Sequence, residues 1–117
     1  MKTFIEKIKN FFSLVSEHEK PIWFEVKMEE GYEDLVPRKA HLQDAGYDLK
    51  AAIKEPVVIP AGECRVVSTG FSCALPSGYE LQIRPRSGLA LKRYISVLNT
   101  PGTIDCNYRG PVGVNVM

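Results

Sequence analysis

Two hydrophobic periods divide the chain. Across residues 4–15, Phe4, Ile5, Ile8, Phe11, Phe12 and Val15 fall at helical spacing, and Thr3 with Glu6 three positions later fits a capping box. The pattern predicts one amphipathic helix, ended by Pro21 because the residue before a proline is pushed out of the helical region. Its apolar face must cover something: its own domain, a neighbouring subunit, a docking partner or a membrane surface.

From Ile22 onward the period falls to two. Ile22, Phe24, Val26 and Met28 alternate with Trp23, Glu25 and Lys27, which predicts a half-buried strand. A charged loop with Gly31 and Pro37 occupies residues 29–44, and strand-like runs follow at 47–52, 57–59, 65–74, 79–84, 95–98 and 112–117. Between the runs lie turn signals: Pro60 to Gly62, Pro76 to Gly78, Pro85 to Gly88, and Pro101 with Gly102. Many short strands with no helices between them argue for an antiparallel sandwich or barrel. The expected organisation is an N-terminal helical extension over residues 1–20 and an all-β domain over 21–117. The run at 112–117 is expected to leave an unpaired apolar edge.

Length and charge narrow the function. A chain of 117 residues is one domain that buries about two-thirds of its unfolded surface. Its 15 basic and 14 acidic residues leave a net charge of +1, so there is no broad field for a nucleic-acid backbone or an anionic membrane. Neither is expected as a partner, and any anion must be met by local geometry. Cys64, Cys73 and Cys106 cannot all pair within one chain and lack zinc-binding spacing, which predicts reduced thiols. The opening segment has no apolar run long enough for a secretion signal or a membrane span, and a cytoplasmic location is expected.

Three segments carry polar residues where a plain sandwich would place only turns. In "AGYDLKA" at 45–51, Asp48 suits a hard cation held directly or through its waters, or equally a backbone-capping role. In "RPRSGLALK" at 84–92, Arg86, Ser87 and Gly88 leave a strand through a tight turn; they form an anion cradle or an ordinary surface turn. In "NTPGTIDCNYRG" at 99–110, the Asn99 amide both donates and accepts, as a pyrimidine edge requires. Asp105 there suits a role as water-orienting base, and the Tyr108 ring suits packing against a sugar. Cys106 has no histidine near it in sequence to activate it as a nucleophile.

Taken together, "AGYDLKA", "PRSGLALK" and "GTIDCNYRG" preceded by "VLN" resemble, in order and spacing, the first three motifs of the trimeric deoxyuridine triphosphate nucleotidohydrolases, the dUTPases. The resemblance runs from about residue 22 to residue 117. It implies a dUTPase-like β-barrel or jelly-roll (β-clip) fold and cleavage of dUTP to dUMP and pyrophosphate. By the same resemblance Asp105 activates the attacking water, and Tyr108 packs on the deoxyribose and rejects a 2′-hydroxyl. Asn99, Gly102, Thr103 and Ile104 read uracil, while Arg86, Ser87 and Gly88 hold phosphates. Asp48 meets the waters of a Mg²⁺ carried by the triphosphate. The family site is composite, which implies a homotrimer with motifs one and two facing motif three of a neighbour.

The sequence also departs from the family pattern. Pro111 stands where an acidic or polar residue is common, which removes a backbone donor and predicts a local change in pairing. Residues 1–20 have no counterpart. The family's later strand and glycine-rich tail are not matched, which sets the β domain as C-terminally truncated relative to the family and lowers the expected activity. The alternatives to the hydrolase are a non-catalytic nucleotide-binding or regulatory relative, and a dCTP deaminase-like enzyme.

Overall fold

The computed structural model describes residues 5–9, as backbone, and residues 22–117. Seven strands, all paired antiparallel, dominate it. They are β1 (Ile5–Lys9), β2 (Trp23–Met28), β3 (Arg65–Ser68), β4 (Phe71–Ala74), β5 (Leu81–Ile83), β6 (Gly102–Ile104) and β7 (Gly113–Val116). Three small sheets result, in the orders β1-β2-β4, β3-β7 and β5-β6. A 3₁₀ turn at Glu33–Leu35 and one helix, α1 (Ser87–Arg93), complete the regular structure.

β2 follows its sequence pattern. Val26 and Met28 are buried while Glu25 and Lys27 are exposed, because alternate side chains of a strand point to opposite faces. Phe71 and Cys73 of β4 bury beside them, and Val36, Leu75, Ile83, Val97 and Val112 complete a single core cluster.

The helix expected across residues 4–15 is corrected at Ile5–Lys9, which pairs with β2 from Ile5↔Lys27 to Lys9↔Trp23. The other positions of that expected helix lie outside the described residues. An isolated helix of about twelve residues is marginal in water. The outer edge of β2 offers a row of backbone donors and acceptors that a strand can satisfy.

The predicted run at 65–74 is two strands. Gly70, at φ +71°, bends the chain between β3 and β4, and Ala52 packs so closely that a β-carbon on Gly70 would lie 2.8 Å from the Ala52 Cβ. Thr69 beside it is buried and donates its hydroxyl to the Val112 carbonyl at 2.6 Å. The Val112 N–H donates in turn to the Phe71 carbonyl at 2.8 Å.

Three runs predicted as strands, 47–52, 57–59 and 95–98, form none. Residues 57–59 lie between Pro56 and Pro60, which lack N–H donors, and Val58 is 80% exposed. Residues 47–52 contribute one bridge, Arg38↔Asp48, and one bond from the Ala52 N–H to the Ser68 carbonyl. The edge expected to be open at 112–117 is closed on both sides. β3 pairs along one flank from Arg65↔Val116 to Ser68↔Gly113. Residues 96–98 line the other through the bridge Val97↔Val116 and bonds between Ser96 and Met117 and from Leu98 to Asn115. Among the described residues no helix is long and apolar enough to cross a membrane, and Cys64, Cys73 and Cys106 are free thiols.

Candidate active site

The segment "RPRSGLALK" begins extended at the end of β5 and turns into α1. Arg86 is the residue before the helix, with φ −78° and ψ 127°, and no side chain caps the first turn. The Ala90 N–H donates to the Arg86 carbonyl, so the N–H groups of residues 87–89 stand ahead of the first intrahelical bond. The sequence reading placed only a turn here and missed the helix. Pro85, Ser87 and Gly88 masked the signal, although Leu89 to Arg93 are all strong helix formers. Tyr94, in the left-handed conformation at φ 57°, ends the helix, and Lys92 and Arg93 sit at its negative end.

Asp48 reaches the same place from the first segment. Its N–H donates to the Arg38 carbonyl at 2.8 Å, which fixes its backbone, and its Oδ1 lies 3.7 Å from the Arg86 Nε. Both side chains are partly exposed, 39% for Asp48 and 66% for Arg86, so the pair adds little to stability. It brings the first two segments together at the mouth of a cavity of about 620 Å³. Tyr47, Asp48, Arg84 and Arg86 contribute to the lining, and apolar side chains of the core, Phe71 and Ile83 among them, supply much of the remainder.

Arg84, Arg86, Lys92 and Arg93 fall in a stretch with no acidic residue between Glu80 and Asp105. The local field therefore favours an anion even though the whole chain is nearly neutral. Ser87 and Gly88 are exposed, and nothing lies within 4 Å of where a Gly88 β-carbon would stand, so the approach to this backbone is clear.

Tyr47 is a lining residue that the sequence reading quoted without assigning a role. Burial raises its phenol above the ordinary value of 10.0, and the Lys39 Nζ lies 5.3 Å from its ring centre. Its position immediately before Asp48 was the only signal.

The third segment forms a hairpin arm. Gly102, Thr103 and Ile104 make up β6 and pair with Ile83, Gln82 and Leu81 of β5. Gly102 is buried, and the Asn99 Nδ2 would lie 3.2 Å from a β-carbon there, so the amide rests over the glycine. Asp105 is exposed just past β6, and its carbonyl accepts from the Tyr108 N–H at 3.1 Å. Tyr108 is 44% exposed and donates its hydroxyl to the Pro111 carbonyl at 2.9 Å.

Asn99, Gly102, Asp105 and Tyr108 do not line the cavity that Asp48 and Arg86 share. Within one chain the first two segments share this cavity, whereas the third, on β6 beside the lining strand β5, contributes no residue to it. Among the described residues no three His, Cys, Asp or Glu side chains gather closely enough to hold a metal ion. Asp48 alone is a poor direct ligand set, but a single carboxylate suits contact with the water shell of Mg²⁺.

With this geometry in view, the comparisons with known proteins agree. A family model described as dUTPase matches residues 33–117. The chain is 50% identical over 95 residues to the deoxyuridine 5′-triphosphate nucleotidohydrolase of Maricaulis maris, covering 79% of this chain and 62% of that protein. It is 56% identical over 80 residues to that of Crocosphaera subtropica, covering 68% and 55% respectively. The chain thus spans a little over half the length of these relatives.

Among solved structures, a mutant dUTPase of phage phi11 of S. aureus superposes with a TM-score of 0.68 at 32% identity, over 80% of this chain and 57% of that one. That structure concerns the coordination of a structural Mg(II) ion. A mutant dUTPase of Staphylococcus bacteriophage 80alpha, solved with dUpNHpp, gives 0.70 at 32% identity, over 80% and 52%.

Proposed function

From the premise that this chain belongs to the dUTPase family, we propose that it carries a dUTP-hydrolysing site. Water attacks the α-phosphorus of dUTP, the bond to the bridging oxygen of the β-phosphate breaks, and dUMP and pyrophosphate leave. The dUMP so formed supplies thymidylate synthesis, and removal of dUTP limits uracil in DNA. The β-clip barrel or jelly-roll of the family is the architecture assigned to residues 21–117.

The observation that carries this reading is the approach of Asp48 to Arg86 at 3.7 Å, which joins two of the three polar segments at one cavity mouth. A guanidinium held only by a partly exposed carboxylate is available to an incoming anion. Phosphate oxygens compete for its fork-shaped donors with better geometry than the single Nε contact seen here. Arg86, with Ser87 and Gly88 at the first turn of α1, holds the phosphates, and the acid-free stretch around them adds to the attraction.

Asp105 orients the water and takes its proton. Asn99, with Gly102, Thr103 and Ile104, reads the uracil edge, and Tyr108 covers the sugar. Mg²⁺ bound by the triphosphate would supply charge neutralisation, with Asp48 bonding to its waters. No covalent intermediate is needed, so positioning and electrostatics provide most of the rate. Because the third segment does not line the cavity of its own chain, a second protomer supplies it, and a homotrimer is the assembly proposed.

The test is pyrophosphate release from dUTP, UTP and dCTP, with ammonia measured alongside. Pyrophosphate from dUTP alone, with no ammonia from dCTP, is expected. Binding of dUTP with no turnover at any enzyme concentration would replace the hydrolase with a non-catalytic relative, and ammonia release would point to deaminase chemistry.

A further inference from the structure

Tyr108 is held by the backbone that follows it. Its hydroxyl donates to the Pro111 carbonyl at 2.9 Å. Its ring lies so close to Gly110 that a β-carbon there would stand 2.5 Å from the tyrosine Oη, 2.7 Å from Cζ and 3.1 Å from Cε2. No side chain fits beside a ring at that separation. The reason for the glycine is not its backbone conformation, since the left-handed glycines are Gly31, Gly62, Gly70 and Gly78. Gly110 is occupied by a glycine so that the ring has room.

The seat itself is anchored. Val112 accepts from the Thr69 hydroxyl at 2.6 Å and from the Thr69 N–H at 3.1 Å, and its own N–H donates to the Phe71 carbonyl at 2.8 Å. The peptide units beneath the tyrosine are therefore tied to the buried bend between β3 and β4. Tyr108 keeps 44% of its surface exposed, which leaves the ring accessible to a ligand.

We propose that Gly110 is a positioning residue that seats the Tyr108 ring before a nucleotide arrives and thereby sets the preference for a deoxyribose over a ribose. The proposal rests on the dUTP-site reading above. A ring already fixed loses little rotamer freedom on binding, and its fixed plane leaves a defined clearance at the sugar. The three atoms nearest to a β-carbon at residue 110 all belong to the half-exposed Tyr108 side chain, so a methyl group there pushes the ring out of its seat toward solvent at little cost to the fold. Specificity, and not stability, is what the glycine protects.

The experiment compares Gly110→Ala with the wild type in the full 117-residue chain, measuring dUMP and UMP affinity by calorimetry and the Gly110 α-proton shifts by NMR. In the wild type these protons should show an upfield ring-current shift and cross-peaks to the Tyr108 ring. In the variant the preference for dUMP over UMP should fall about three- to tenfold, as loss of one aromatic packing contact implies, with an unfolding midpoint close to wild type. An unchanged preference in a variant that binds dUMP overturns the inference alone, as does a wild type lacking the cross-peaks. A wild type that binds neither nucleotide overturns the site reading and this inference with it. If Gly110→Ala does not fold, adding Tyr108→Ala removes the overlapping ring; recovery supports the seat and continued misfolding overturns it.

Discussion

At the scale of single residues, the two aspartates stand in different surroundings. Asp48 is tied by its backbone to Arg38 and by its carboxylate to Arg86, whereas Asp105 is exposed at the end of β6 with its carboxylate free to meet a water. On the proposed reading Asp105→Asn keeps the shape and the hydrogen-bonding reach but loses the base. Turnover of dUTP should fall about 10²- to 10⁴-fold while dUMP affinity, measured by calorimetry, stays within twofold or so of wild type. A parallel loss of affinity would make Asp105 a binding group instead. Cys73 gives a second test at this scale. Burial pushes its thiol above the ordinary 9.0, against a smaller opposing pull from Arg109. The folded chain then keeps a proton that the unfolded chain releases, so stability falls as pH rises past that value. Urea midpoints at about pH 8 and about pH 10 should therefore drop more for the wild type than for Cys73→Ala. Asp48, Arg86, Asn99, Asp105 and Tyr108 stood out in the sequence by type and spacing. What it did not show was Gly110 as a seat, because a glycine's neighbours across space leave no mark on its own identity.

At the scale of elements, the bend between β3 and β4 anchors the chain at Val112, two residues past the third segment. Gly70 combines a left-handed φ with a β-carbon distance of 2.8 Å to Ala52, so Gly70→Ala meets both backbone strain and overlap. The expected cost is about 2 to 4 kcal/mol, read as a lower urea midpoint. A loss below about 0.5 kcal/mol would show that the bend relaxes freely. Local patterning identified β2 because its alternation is long and one face carries half-buried Phe24 and buried Val26 and Met28. It merged β3 with β4, since a single glycine in an apolar run does not announce a turn. It missed α1 because Pro85, Ser87 and Gly88 dominate the start of a seven-residue helix. At Ile5–Lys9 helical spacing lost to strand pairing: a short helix has weak intrinsic preference, and the edge of β2 supplies a ladder of backbone bonds.

At the scale of the whole molecule, the separation of the third segment from the Asp48–Arg86 cavity makes assembly a testable matter. If each site draws its first two segments from one protomer and its third from another, Asp48→Ala and Asp105→Ala are each inactive alone. Mixed after joint refolding at equal concentration, they should regain roughly a quarter of wild-type activity, the share of interfaces that pair two intact halves. No recovery would mean that every site is built within a single chain. The sequence by itself determined the three polar segments and their order along the chain, together with the strand-dominated character of residues 22–117, because residue types, turn signals and short hydrophobic periods are local properties. Only the tertiary structure decided the rest: that Asp48 meets Arg86, that β7 is closed on both flanks, that residues 5–9 join a sheet, and that a tyrosine rests on a glycine two positions on. Those outcomes depend on which distant backbone groups and surfaces come together to satisfy one another, and no local pattern encodes that competition.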